Sequence, residues 1–98
     1  MFIGKVIGNV WATQRHPEMG TAKLLLVQPM DGITRKAWGD PLLALDAKMG
    51  AGIGDVVLVM DEGSSARQIL KNTKAPIRTI VCGVVDSVTA SGKTVRYH

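Results

Sequence analysis

The sequence holds a single cysteine, Cys82 in "TIVCGVVD", so no disulfide can form within the chain and a reducing cytosol is the setting to expect. That thiol reads more simply as a small buried hydrophobe than as a reactive group. Aromatic side chains are nearly as scarce: Phe2, Trp11, Trp38 and Tyr97 are all there are. They do not alternate with basic residues, which leaves no stacking platform for single-stranded nucleic acid. His16 and His98 lie at opposite ends of the chain, and one cysteine completes no ligand spacing, so no metal site is expected. No apolar run reaches membrane-spanning length, and the opening "MFIGKVIGNVWA" is interrupted by Gly4, Lys5, Gly8 and Asn9, unlike the continuous core of a secretory signal. A soluble, cytoplasmic protein with no membrane contact is the expectation.

What is present is apolar aliphatic sequence in a short chain. With 98 residues, 46% hydrophobic and 20% charged, the sequence suits one domain spanning residues 1–98 that is poor in polar surface for its size. Twelve Lys and Arg against eight Asp and Glu leave a net charge of +4, which permits an acidic partner without requiring one. Only Arg67, Lys71, Lys74 and Arg78 gather, and a solvated face explains them before a nucleic-acid patch does.

The apolar pattern predicts strands. Residues 2–11 alternate, with Phe2, Gly4, Val6, Gly8 and Val10 on one face, and the inward glycines suggest a strand that bends over a core. "AKLLLVQPM" follows as a second strand, and Asp31-Gly32 marks a turn. "ITRKAWGDP" reads equally as a long loop or as a short strand carrying Trp38. "LLALDA" and "DVVLVMD" are the third and fourth strands, and "IRTIVCGVVDSVT" is a fifth and the longest. A turn at Ser91-Gly92 would fold "KTVRYH" back as a short final strand. One short helix is predicted from Ser65, where S-x-x-Q has the spacing of a capping box. The fold class is therefore all-β with one short helix. In "KLLLVQ", "DVVLVM" and "TIVCGVVD" both alternating faces are apolar, a pattern that normally needs cover on both sides. One short helix is too little cover, so a second copy of the chain is expected to supply it.

Two glycine motifs invite a nucleotide reading and neither sustains it. In "GAGIGD", residues 50–55, a dinucleotide fingerprint would require a helix next, yet the β-branched "DVVLV" follows. Gly50, Gly52 and Gly54 then serve positive φ or the close approach of another chain. In "SGKT" the first glycine of a phosphate loop would fall at Ser87, and no helix can follow Thr94. Ser64 and Ser65 read as helix caps, with no base nearby in sequence, so nothing argues for catalysis or for a cofactor.

The order "IGKVIGNVWAT", "KLLLVQPMD", "GAGIGDVVLVMDEGSSARQ" and "PIRTIVCGVVDSV" resembles the EutN/CcmL family of vertex proteins from bacterial microcompartment shells. The resemblance covers residues 2 to 89, is most specific from Gly50 to Gln68, and leaves residues 90–98 as a C-terminal extension similar to that of ethanolamine-type members. It implies a five-stranded, OB-like β-barrel that assembles into a ring as a homopentamer, caps the corners of an icosahedral shell beside hexameric shell proteins, and catalyses nothing. By resemblance, Gly50, Ala51, Gly52, Gly54 and Asp55 pack near the subunit junction and central opening. Ser64, Ser65, Ala66 and Arg67 match the helix-start motif, with Arg67 placed to pair with a neighbour's carboxylate. Arg78, where the family commonly has an acidic residue, and Lys48-Met49, which replaces a more apolar pair, depart from the pattern. The competing class is an OB-type nucleic-acid-binding module relying on the Arg67 to Arg78 cluster.

Overall fold

The computed structural model describes residues 1–10, 23–46, 49–61 and 79–97. Among these residues the regular elements are all strands: β1 (Phe2–Val10), β2 (Lys23–Pro29), β3 (Leu42–Asp46), β4 (Val56–Asp61), β5 (Thr79–Val84), β6 (Ser87–Ala90) and β7 (Lys93–Arg96). The first five close into a barrel in the order β1-β2-β3-β5-β4, antiparallel at every seam except β3 against β5. That is the five-stranded OB-like barrel expected from the sequence. The short helix predicted from Ser65 lies outside the described residues.

Strand alternation fills the barrel. Val6, Leu25, Val27, Ala44, Val57, Val59 and Val81 form one buried cluster, with Ala51 packed into it from the loop between β3 and β4. Each such branched side chain contributes about 1.5–3 kcal/mol by leaving water, so this cluster is the main source of the fold's stability. Gly4 allows β1 to close on β2. A Cβ at that position would collide with the Val27 side chain and lie 3.0 Å from the Gln28 carbonyl oxygen.

The expected phase of β1 holds only as far as Val6. The register against β2 shifts between Val6 and Gly8, so Ile7 is the extra residue of a β-bulge. The bulge reverses the alternation: Gly8 pairs with Leu26 and Val10 with Leu24, residues on the outer face of β2. Gly8 and Val10 therefore lie outside the barrel, contrary to the sequence expectation. A second register shift between Leu58 and Val59 leaves Cys82 unpaired in β5.

The predicted long strand over 77–89 is also divided. Its barrel ladder ends where the Val85 N–H donates to the Val56 carbonyl at 2.8 Å, and β6 starts at Ser87 by pairing with Arg96. Among the described residues the longest strand is β1, with nine residues. β6 and β7 form a separate hairpin turned by Ser91 (φ 51°) and Gly92 (φ 75°), the positive-φ pair of a type I′ turn. The segment 31–40 is a loop with one isolated bridge, Met30 to Ala37, which settles the alternative left open above. The Asp31 carboxylate shapes its turn by accepting the Ile33 and Thr34 amides at 2.8 and 2.9 Å. These hydrogen bonds, from the Thr34 and Ile33 N–H groups, stabilise the ionised form and lower the Asp31 pKa. Trp38 packs edge-on against Phe2, with ring centroids 6.0 Å apart.

Candidate functional site

The glycine motif is built as a clamped structural loop. Asp46 ends β3 with only 2% of its surface exposed, and its two carboxylate oxygens accept the Met49 and Ala51 amides, both at 2.7 Å. Lys23, opposite Asp46 in the β2–β3 ladder, donates its amine to the Ala51 carbonyl at 3.0 Å. Further along, the Gly52 amide donates to the Asp55 carboxylate at 2.9 Å, while the Gly54 amide donates to the Val6 carbonyl at 2.8 Å. The loop is thereby tied to β1 beside its bulge. With the amides of Met49, Ala51, Gly52, Gly54 and Asp55 engaged inside the protein, the loop offers no cradle of free N–H groups for a phosphate. β4 follows directly, without a helix, which agrees with the rejection of the nucleotide reading.

Within that loop the glycines have different reasons. Gly50 (φ 70°) and Gly54 (φ 95°) occupy backbone that L side chains rarely adopt. Gly52 does not have a positive φ, and a Cβ there would meet nothing within 4 Å. Nothing among the described residues requires glycine at that position. Beside it Ile53 projects with 65% of its surface exposed, and Met49 is also exposed.

A second surface lies on the outside of the barrel. Because the bulge turns Val10 and Gly8 outward, the cross-strand rows Val10–Leu24–Leu45 and Gly8–Leu26–Leu43 run across β1, β2 and β3. Leu45 is fully buried, but Leu24 and Leu26 are half-exposed, and Ile7, Val10 and Leu43 are exposed, Leu43 to 46%. These residues form a contiguous apolar area on one side of the barrel, of the kind soluble monomers seldom leave to water. Of the three strands expected to be apolar on both faces, β2 contributes to this area, beside β1 and β3, whereas β4 and β5 leave no large hydrophobic side chain exposed.

Of the residues expected at a junction, Gly50, Ala51, Gly52, Gly54 and Asp55 come together in the one loop, whereas Ser64, Ser65, Ala66 and Arg67 lie outside the described residues. Asp46 and Lys23, which hold the loop in shape, were not singled out from the sequence. The available signal was a lone carboxylate in the otherwise apolar "LLALD" just before the glycines. Cys82 is half-buried and donates to the Leu58 carbonyl with an S···O separation of 3.4 Å, and desolvation pushes its thiol pKa up. It is thus protonated and a poor nucleophile at neutral pH. "SGKT" is the turn of the β6–β7 hairpin, and among the described residues no group of three or more potential metal ligands occurs.

Comparison with known proteins gives a consistent picture. The family described as "Ethanolamine utilisation protein EutN/carboxysome" matches residues 1–86. The bacterial microcompartment shell vertex protein EutN of Salmonella typhimurium is 38% identical over 99 residues, spanning 97% of this chain and 93% of that protein. The solved structure of Gloeobacter violaceus CcmL is similar with a TM-score of 0.84 at 33% identity, covering 96% of this chain and 94% of that one. GrpN, the pentameric microcompartment shell protein of Rhodospirillum rubrum, is similar with a TM-score of 0.78 at 36% identity, covering 92% of this chain and 99% of that one.

Proposed function

Because this chain belongs to the EutN/CcmL family, we propose that it is a structural vertex protein of a bacterial microcompartment shell, acting as a homopentamer in the cytoplasm. The observation that carries the reading is the uncovered apolar face over Ile7, Val10, Leu24, Leu26 and Leu43 on a closed barrel. A ring is built by heterologous contacts, in which one surface of each subunit meets a different surface of the next. The outer face of β1, β2 and β3 supplies one such surface. The glycine loop, with exposed Met49 and Ile53 around a Gly52 that has open space above it, supplies the other.

The mechanism is geometric. Hexameric shell proteins tile a flat sheet, and a closed polyhedron needs five-fold positions to introduce curvature. A rigid wedge-shaped subunit sets that angle, and the barrel provides rigidity through its closed hydrogen-bond ladder. The hexameric shell proteins are the proposed partners, and no catalytic step is assigned to the vertex. In support, the relatives named above are shell proteins. The nucleic-acid alternative has no comparable support.

Native mass spectrometry of the full chain across a range of salt concentrations tests the proposal. A salt-resistant species of five 10.5 kDa chains is expected, because apolar contacts are not screened by ions. A soluble monomer at all concentrations would overturn the reading and mean that the outer face needs no cover.

A further inference from the structure

Away from the outer apolar face, and with Gly54 of the glycine loop in its lining, three cations from distant parts of the sequence converge on one cavity of about 370 Å³. Lys5 comes from β1, Arg35 from the turn after β2, and Arg96 from β7, while Met30 and Val56 contribute apolar lining and Tyr97 is part of the wall. None of the three cations makes an ion pair with a carboxylate among the described residues. Two of the nearby carboxylates accept backbone amides instead: Asp31 those of Ile33 and Thr34, and Asp55 that of Gly52.

The cavity is also organised. The Arg35 guanidinium lies 5.0 Å from the centroid of the Tyr97 ring, a stacked arrangement that leaves its N–H edge free for other acceptors. Tyr97 is fixed in turn, because its hydroxyl donates to the Gly32 carbonyl at 2.5 Å and its amide donates to the Asp86 carbonyl at 2.7 Å. Arg35 itself sits at φ 63°, a conformation uncommon for a non-glycine residue, and its N–H donates a hydrogen bond to the Asp31 carbonyl at 2.9 Å. Like charges gathered without a counterion repel one another. A bound anion removes the repulsion and gains charge-assisted hydrogen bonds from two forked guanidiniums and an ammonium.

We propose that the cavity between Lys5, Arg35 and Arg96 is a binding site for a compact oxyanion of the phosphate class, such as the phosphate group of a small metabolite. Concavity and a few convergent polar groups are among the general marks of a small-ligand pocket, and the volume falls in the range of such pockets. Occupancy would tie the β6–β7 hairpin, through Arg96, to the barrel, through Lys5. The hairpin is a two-stranded element, a class marginally stable unless packed against something else, so an anion at this position is expected to quiet it.

Inorganic pyrophosphate is the probe, titrated calorimetrically into the full-length assembled protein at constant ionic strength. The expected result is one saturable site per chain, weakened about tenfold or more by Arg96→Gln, by Arg35→Gln and by Lys5→Gln, with slower hydrogen exchange of the residue 87–97 amides when the probe is bound. Lys5 is exposed on its strand, so Lys5→Gln keeps the test valid if Arg35→Gln disturbs the turn. The absence of saturation below about 10 mM would overturn the proposal, as would binding that a matched concentration of sodium chloride abolishes or that survives all three substitutions. If the substitutions instead break up the assembly while pyrophosphate fails to bind, the cations serve an acidic group of a neighbouring subunit and the proposal is equally overturned.

Discussion

Replacing Gly52 by alanine separates folding from assembly. In the single chain the new methyl would meet nothing within 4 Å, and the backbone there is not in the positive-φ region. Alanine then restricts the unfolded chain without straining the folded one, so the chain itself gains about 0.4–1 kcal/mol. A neighbouring subunit packed on that position would have to accommodate the methyl, at about 2 kcal/mol for each overpacked contact. A five-membered ring repeats the contact at every junction, which makes about 10 kcal/mol per ring. That amounts to roughly seven powers of ten in the ring association constant. The midpoint concentration for forming a pentamer scales as the fourth root of that change, so it rises by roughly fifty- to a hundredfold. Gly54→Ala is the control, because φ 95° makes alanine strained inside the chain. It should lower chain stability by about 1–2 kcal/mol. Urea unfolding at concentrations too dilute for assembly gives the first quantity, and a dilution series by native mass spectrometry gives the second. An unchanged assembly midpoint in Gly52→Ala would refute the close approach at that glycine. A loss of chain stability equal to that of Gly54→Ala would refute the reading of open space around it.

Asp46→Asn should destabilise the chain by about 1–3 kcal/mol, since an amide offers one acceptor oxygen where two N–H groups now point, that of Ala51 buried and that of Met49 partly buried; the urea midpoint reads this, and a neutral result would show that the loop does not depend on its clamp. Leu43→Glu should leave the fold within about 0.5 kcal/mol of wild type, because the side chain is already exposed in the single chain. It should nevertheless abolish the ring by placing a carboxylate in an apolar junction, and an intact pentamer would exclude β3 from the contact. The 31–35 turn should loosen in acid. The Asp31 pKa is lowered from its ordinary value of 3.8 by the Thr34 and Ile33 amides, so its contribution is fully present above that value and is lost as pH falls through the lower folded one. Amide shifts of Ile33 and Thr34 followed by NMR should therefore move only below about pH 4, and a transition nearer neutrality would point to another group.

Strands, turns and the glycine motif were legible because each rests on a local pattern: alternation in "KLLLVQ" and "DVVLVM", the Ser91-Gly92 turn, and glycines running straight into a β-branched strand. The apolar residues on both faces of "KLLLVQ" also pointed to an uncovered surface, which lies on β2 and its neighbours β1 and β3 but not on β4. Other features depended on partners remote in sequence. A bulge is defined by two strands together, so nothing within "FIGKVIGNV" marks Ile7 as the extra residue, and the faces of Gly8 and Val10 were misassigned. The break between β5 and β6 arises because Val85 completes the ladder to Val56 while Ser87 begins pairing with Arg96. Asp46 gained its role from the fold of the loop back over the end of β3. Lys5, Arg35 and Arg96 look like scattered surface charges along the chain, and only barrel closure and the docking of the hairpin bring them to one cavity. Local backbone preference and side-chain polarity thus determined which elements form, whereas register, bulges and the grouping of distant charges were decided by tertiary contacts, whose energies no short stretch of sequence contains.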